Sequence, residues 1–380
     1  MTVFLGCGFA AKYREGGGNF SVPLQWMLGL RRMNLDAVWV EFLPGSGDAA
    51  VDAKNIRAFQ LRMRQFGFAK RYALLLQREP GDVHVLEKLE CFGLSKKELA
   101  ERLAGPNVLL NLSYSLHPPL LHRFERRILC DLDPSEIFYW MTKLEMGQSH
   151  HHEFWTIGLN AGALDCLLPQ TGVPWKTFYP LVDTTFFLAQ PPRTTPTFTT
   201  IGQWYWGGAV EVNGEFPDLS KKFAFEPYLD LPSQCPACRF ELAMNINADD
   251  PEYVRLRKRG WQMANPHHVA RTPGAYRNYI RRASGEFTAI KGVDVAWKTG
   301  WLSDRAAAFL ASGRPVITED AGARSYLPAD SGMHFVRGVE EARAAVEQVT
   351  ANWSTHSAAA RACAVELFDA PRNLRRILAF

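Results

Sequence analysis

The chain has 380 residues, of which 47% are hydrophobic and 22% are charged. This length exceeds one ordinary α/β domain, and the composition excludes a disordered or fibrous protein. The net charge of +4 permits a phosphorylated or acidic ligand but does not demand nucleic acid as a partner.

The N-terminal residues, the lack of long apolar runs and the cysteines indicate the cellular compartment. The first eight residues lack the basic and apolar regions of a signal peptide, and no run approaches the roughly 20 apolar residues of a membrane span. The seven cysteines include one Cys-Pro-Ala-Cys pair at Cys235 and Cys238, without the second pair of a zinc site. We therefore expect a cytoplasmic protein with free thiols and no membrane span. A lone Cys-x-x-Cys pair is only a weak metal signal.

Strands alternate with helices in the first half of the chain. Val3–Cys7 is predicted as a buried strand, a Gly-rich loop at Gly16–Asn19 follows, and helical spacing begins at Pro23. A Ser-x-x-Glu capping signal begins a further helix at Ser95. The other predicted strands are Ala37–Leu43, Arg71–Gln77, Val108–Leu112, Arg127–Cys130 and Glu153–Gly158. This alternation is typical of a Rossmann-like sheet.

A Pro-rich stretch at Gln190–Pro196 predicts a hinge, after which a second α/β series begins. Its predicted strands are Phe198–Ile201, Arg239–Ile246, Trp261–Ala264, Val293–Lys298 and Arg314–Thr318. Its predicted helices are Pro251–Arg259, Ala275–Arg282, Ser303–Ser312 and Val339–Asn352. We predict domains at residues 1–190 and 195–352, with a helical segment at 353–380 that packs back on the first domain.

Ligands of open α/β sheets bind at the carboxyl ends of the strands, so three corners are candidate sites. At the first corner, Gly17, Gly18 and Asn19 let backbone N–H groups approach an anion, although a plain flexible loop explains them as well. The second corner is a predicted loop, Ser284–Phe287, whose Ser284, Gly285 and Glu286 offer partners for a ribose or a sugar. Lys291, farther along the same loop, can meet a phosphate.

The third corner begins the helix at Ser303. Ser303 and Asp304 are good N-cap residues, and a helix N-terminus favours a diphosphate. Arg305 can add a bidentate phosphate contact. We therefore expect Arg305→Ala to weaken ligand binding more than stability. Capping alone also explains Ser303 and Asp304, so the sequence leaves both interpretations open.

Polar and aromatic residues elsewhere supply further candidates. Asp131, Asp133 and His152 lie near predicted strand ends in the first half, where a general base could stand. Asp133 before Pro134 also suits a plain turn. Trp204, in a Trp-Tyr-Trp cluster, offers a face for stacking on a sugar or base.

The second half resembles the GT-B glycosyltransferases, and one bacterial branch in particular. The segment Gly300–Arg305, followed by Ala311–Ile317, is similar to a Gly-Trp-Phe-Ser-Asp-Arg segment that leads a helix ending in Ala-x-Gly-Arg-Pro-Val. Trp301 belongs to that segment. The stretches Phe198–Thr200, Tyr276–Ile280 and Ser284–Phe287 resemble earlier segments of the branch, and Thr200 enters the candidate donor site on that ground.

The resemblance implies an α/β fold of two Rossmann-like domains facing across a cleft. It also implies a nucleoside-diphosphate sugar bound by the second domain, an acceptor held by the first, and no metal or other cofactor. One departure is that Ala308 stands where the common retaining pattern has a ribose-binding Glu, so Glu286 and Asp304 are the candidate substitutes. The acceptor is not identified.

Three alternatives remain at this stage. An epimerase or hydrolase of the same fold would use the nucleotide sugar without an acceptor. A glycosyltransferase with DNA or another macromolecule as acceptor would share every motif, and salt-dependent DNA binding would reveal it. A bilobal binding protein that closes on its ligand is the non-enzymatic alternative.

Overall fold

The computed structural model describes residues 1–79, 84–191, 195–212 and 214–379, and these form two β-sheets with flanking helices. The strands of the first sheet are β1 Thr2–Cys7, β2 Asp36–Pro44, β3 Tyr72–Gln77, β4 Glu90–Gly93, β5 Asn107–Leu112, β6 Arg126–Asp131, β7 Glu153–Thr156 and β8 Trp175–Thr177. Their order is β4-β3-β2-β1-β5-β6-β7-β8, and every pair is parallel except β3 with β4.

The second sheet is parallel throughout. Its strands are β9 Thr197–Gly202, β10 Arg239–Met244, β11 Gln262–Met263, β12 Gly285–Thr288, β13 Val316–Glu319 and β14 Met333–Val336. Their order is β11-β10-β9-β12-β13-β14. The strand order therefore reverses between β9 and β12 here, and between β1 and β5 in the first sheet. Such reversals open a crevice at the carboxyl ends of the strands.

Fourteen α-helices are described within these residues. They are α1 Gly17–Arg32, α2 Ala49–Gln65, α3 Lys96–Ala104, α4 Pro134–Met141, α5 Lys221–Phe225, α6 Leu231–Gln234, α7 Pro251–Lys258, α8 Pro266–Val269, α9 Pro273–Arg282, α10 Gly292–Trp297, α11 Asp304–Ala311, α12 Val339–Ala351, α13 Trp353–Cys363 and α14 Ala370–Leu378. None of the helices in the described part of the chain combines the length and the apolar character needed to cross a bilayer.

Most predicted elements agree with the structure, and two corrections concern the second half. The run Val293–Lys298, predicted as a strand, is helix α10, with Lys298 as its left-handed C-cap. The predicted loop at Ser284–Phe287 is instead strand β12, which lies between β9 and β13. A short buried apolar run has no periodicity that separates strand from helix, so the neighbouring strands decide.

Helix α1 begins six residues earlier than predicted, and its first residue is Gly17. Pro23 lies inside the helix rather than at its start. A proline removes one intrahelical hydrogen bond, which made the later start the natural prediction. Burial of Leu24, Met27 and Leu30 on one face offsets that loss.

The C-terminal helix packs against the first half of the chain. Leu374 and Ile377 of α14 are fully buried in the same apolar cluster as Leu24 of α1 and Trp39 of β2. A Cβ at Gly29 of α1 would lie only 2.6 Å from the Cβ of Ala370, so a glycine is needed at this close approach. Of the predicted hinge, residues 192–194 lie outside the described residues. The exact domain boundaries remain a prediction.

Candidate active site

A cleft of about 780 Å³ lies between the carboxyl ends of the two sheets. From the first half it is lined by Lys12, Arg14, Gly18, Asn19 and Asp133, among others. From the second half it is lined by Gly202, Trp206, Tyr276, Ser303, Asp304 and Arg305, among others. Because both strand-order reversals open here, loops of both halves converge on one space.

Arg305 is a cation of the cleft whose guanidinium is held by three protein groups. Its Nε contacts the Oε1 of Glu286, its Nη1 donates to the carbonyl of Ile201 at 2.8 Å, and its Nη2 donates to Thr288 Oγ1 at 3.0 Å. The Arg305 side chain is 13% exposed and that of Glu286 is 0% exposed. Glu286 therefore lies beneath Arg305 and fixes it, while the guanidinium reaches the cleft.

A second cation, Lys221 of α5, lies beside Arg305. Its Nζ donates to the carbonyl of Ala289 at 2.6 Å. Burial lowers the pKa of Lys221 to about 7, and the nearby charge of Arg305 adds to this. A Cβ at Gly202 would lie 3.5 Å from Lys221 Cε and 3.7 Å from Arg305 Nη1, so both cations lie beside this glycine. Gly202 and Arg305 line the cleft, and Lys221 lies behind them.

The N-terminus of α11 points into the same region. Ser303 caps the helix, because its hydroxyl accepts the Ala306 N–H at 2.9 Å. Asp304 lines the cleft, and its Oδ1 is buried without a hydrogen-bond partner among the described residues. Burial raises the pKa of Asp304 to about 7. A carboxyl group in this state can bind hydroxyl groups or share a proton with a phosphate.

The glycines after β1 bring the two halves together. The Gly17 N–H donates to the carbonyl of Ala270 at 2.6 Å, across the cleft. A Cβ at Gly17 would lie 2.3 Å from that oxygen, whereas one at Gly18 would meet the Tyr276 ring at 3.4 Å. Gly18 and Asn19 line the cleft at the N-terminus of α1, where free backbone N–H groups favour an anion.

Carboxylates from both halves meet at the other side of the cleft. Lys291 Nζ binds Asp133 Oδ2 at 2.5 Å, and the Lys291 ammonium lies 4.8 Å from the centre of the Trp206 ring. Burial raises the pKa of Asp294 to about 7, and the charge of Asp133 adds to this. Burial likewise raises the pKa of Asp131 to about 7, although Thr156 donates to it at 2.6 Å.

Seven of the sequence-derived candidates line the cleft together. They are Gly18, Asn19, Asp133, Trp301, Ser303, Asp304 and Arg305. Five others lie directly behind this lining: Gly17, Asp131, Thr200, Glu286 and Lys291. Thr200 is one example, since it is buried and its hydroxyl lies 3.4 Å from that of Thr288, which holds Arg305.

Four candidates lie elsewhere. Ser284 and Gly285 are at the amino end of β12, the edge of the sheet away from the cleft, where the Ser284 hydroxyl accepts the Thr197 N–H at 3.1 Å. His152 precedes β7, again at an amino end, and its Nδ1 accepts the Arg127 N–H at 3.0 Å. Trp204 is fully buried in an apolar cluster. Predicting β12 as a loop placed the first two at the wrong edge.

Trp206, two residues after Trp204, lines the cleft and is 42% exposed. Its Nε1 donates to Glu136 Oε1 at 3.0 Å in the other half. Gln203, Asn245 and His267 also line the cleft, and the sequence carried no motif for them. No group of three or more His, Cys, Asp or Glu side chains in the described ranges could hold a metal ion.

No family model and no curated protein matches the sequence. Solved structures do match, several of them over the whole of this chain. An alpha-glucosyltransferase in complex with UDP and a 13-mer DNA containing a HMU base has a TM-score of 0.58 at 9% identity over 98% of its chain. Anabaena HepE in complex with UDP-glucose has 0.54 at 10% over 98%. A TarM mutant from S. aureus, in complex with fondaparinux, alpha-GlcNAc-glycerol and UDP, has 0.57 at 9% over 99%.

These likenesses show the fold of the chain. It is GT-B, with two Rossmann-like α/β sheets facing across a cleft, as the resemblance in the second half implied. At about 10% identity they carry no residue-by-residue assignment, so the roles of the side chains rest on the geometry of the cleft.

Proposed function

We propose that this protein is a glycosyltransferase that moves a sugar from a nucleoside diphosphate to an acceptor hydroxyl. The observation that carries the proposal is the pair of cations, Arg305 and Lys221, flanking Gly202 beside the N-terminus of α11. The pair is suited to a diphosphate, and structures of the same fold hold UDP or UDP-glucose. We place the chain in the branch that the Gly300–Arg305 segment resembles.

The cations would act mainly on the leaving group. As the bond from the anomeric carbon to the diphosphate oxygen breaks, the electron pair moves to that oxygen and negative charge develops there. Arg305 is already fixed by Glu286 and Thr288, so it can stabilise this charge without reorganising. Lys221, with its pKa lowered to about 7 by burial, would take up a proton as the diphosphate binds. We propose that these groups replace a metal.

Asp304 is our candidate for binding the ribose. Glu286 is fully buried beneath Arg305 and cannot reach a ligand in the cleft, whereas Asp304 is only partly buried and lines the cleft. Ala308 is buried in an apolar cluster and has no polar atom to offer. We therefore propose that Asp304, rather than Glu286, binds the ribose hydroxyl groups.

Asp133 is our candidate for the base that takes the acceptor proton, because it lines the cleft on the first half. Asp131 stands behind it and accepts the Asp133 N–H at 2.8 Å, which positions that loop. In this arrangement the second half binds the donor and the first half holds the acceptor, whose oxygen forms the new bond to the anomeric carbon.

A thermal-shift screen with UDP, GDP, ADP, TDP and CMP tests the donor assignment, because selective binding stabilises the fold by mass action. We expect one nucleoside diphosphate to raise the melting temperature far more than the others, with and without EDTA. No shift with any of them would contradict the proposal. An epimerase or hydrolase would consume the matching nucleotide sugar at the same rate without any acceptor, and a transferase would not.

A further inference from the structure

The first half carries a row of exposed cations beside the cleft. Lys12 and Arg14, in the loop after β1, line the cleft itself. Helix α2 adds Lys54, Arg57 and Arg64, which are all exposed. We call these five side chains the α2 basic surface.

None of these five side chains has an ion-pair partner among the described residues, in contrast to their neighbours. Arg71 pairs with Asp36, and Arg78 pairs with Glu90. The acidic residues nearest in sequence have other partners. Asp48 caps α2, Asp52 accepts the Ser46 N–H at 2.9 Å, and Glu15 pairs with Arg271 at 3.8 Å. The positive charge of the surface is therefore not neutralised by the protein.

Helix α2 connects the cleft with a second depression. Val51 and Asn55 line the cleft, whereas Arg57 and Arg64 line a neighbouring groove of about 480 Å³. Lys54 projects between these two faces at helical spacing. Arg57 and Arg64 are two turns apart, or about 10 Å along the axis. The cations thus form a row that runs from the cleft along α2 to the neighbouring groove.

An aromatic side chain stands in the row where it meets the cleft. Tyr13 lies between Lys12 and Arg14 in sequence, lines the cleft and is 45% exposed. The Lys12 ammonium lies 5.7 Å from the centre of its ring. A cationic track with an exposed ring is the arrangement that binds phosphodiester backbones and stacks on unpaired bases.

We propose that the α2 basic surface binds single-stranded nucleic acid and guides one of its nucleotides into the cleft as the acceptor. This inference rests on the proposed function, since it names the acceptor class for the same cleft. Lys54, Arg57 and Arg64 contact successive phosphates outside the cleft, and Tyr13 stacks on a base at its mouth.

Fluorescence anisotropy with a labelled 12-nucleotide single-stranded DNA tests this at several salt concentrations. Each phosphate contact contributes about 0.7 to the slope of log affinity against log salt. The variant Lys54→Ala/Arg57→Ala/Arg64→Ala should therefore lower the magnitude of the slope by about 2. Tyr13→Ala should weaken binding about tenfold, and Tyr13→Phe should not.

Helix α14 provides a matched control on the same half, because Arg372, Arg375 and Arg376 are three exposed arginines outside the cleft and the groove. Their triple alanine variant should keep the wild-type slope. Three results would overturn the inference. They are an equal loss of salt slope in both triple variants, no measurable DNA binding, and tighter binding to heparin or duplex DNA than to the single strand. The α2 triple variant also separates this inference from the proposed function. If a nucleoside diphosphate still raises its melting temperature, the proposed function stands whatever the DNA result.

Discussion

Arg305, which we propose binds the diphosphate, is also held by the fold. Its guanidinium has three protein partners, and Glu286 beneath it is fully buried. Removing Arg305 leaves an unpaired charge in the interior, which costs about 3–5 kcal/mol. The expectation that Arg305→Ala affects binding more than stability therefore needs revision, because both should fall.

A double variant separates these two effects. Arg305→Ala should lower the melting temperature and abolish the shift caused by the nucleoside diphosphate that binds wild type. Arg305→Met/Glu286→Gln removes both charges, so most of the melting temperature should return while the ligand-induced shift stays absent. Recovery of the ligand-induced shift in the double variant would exclude Arg305 from the diphosphate site. Arg343→Ala is the control, because Arg343 of α12 has a side chain that is 40% exposed and pairs only with surface carboxylates.

At the level of elements, the beginning of α1 decides how closely the two halves approach. Gly17 donates its N–H to Ala270 of the other half, and there is no space for a side chain beside it. The next residue, Gly18, has ordinary contact distance to Tyr276. Two adjacent helical glycines therefore have different reasons to be present, and only the first is required by packing.

We expect Gly17→Ala to lower stability by about 1–3 kcal/mol, because the new Cβ meets the backbone oxygens of Ala270 and Thr272 at 2.3 Å. Gly18→Ala is the matched control, and its higher helix propensity should leave stability equal or slightly higher. Urea unfolding of both variants measures the difference. Equal stability of the two variants would show that the halves do not meet at Gly17.

At the scale of the whole molecule, the junction of the halves contains carboxyl groups whose charge opposes folding. The folded pKa of Asp294 is raised from 3.8 to about 7, chiefly by burial. The unfolded chain therefore binds fewer protons between these values, and stability falls as pH rises from about 4 to about 7 and then levels off. Asp131 contributes in the same direction.

The variant Asp294→Asn should raise the melting temperature, by a few degrees at pH 8 and by less at pH 5. The reason is that Asn carries no charge to bury and keeps an oxygen for the Thr299 hydroxyl, which donates to Asp294 Oδ1 at 3.1 Å. Asp249→Asn, at an exposed position, should change neither value. If Asp294→Asn raised the melting temperature equally at pH 5 and pH 8, Asp294 would already be ionised in the folded protein at pH 5.

The sequence by itself determined the two α/β series, the capping of α11 by Ser303 and the cleft-lining segment Trp301–Arg305. These features are local, because strand periodicity, capping residues and a contiguous motif are all read over a few positions. The segment at Ser284–Phe287 was misread as a loop for the same reason. Its neighbours β9 and β13 make it a strand, and they are distant in the chain.

Only the tertiary structure decided which side chains meet. Lys221 joins Arg305 from a helix more than eighty positions away, Trp206 rather than Trp204 reaches the cleft, and His152 lies at the opposite edge of its sheet. Burial then sets the chemistry of these groups, since it places Glu286 out of reach of a ligand and leaves an oxygen of Asp304 without a partner. The sequence lists residue types in order, but solvation and charge depend on neighbours that folding alone brings together.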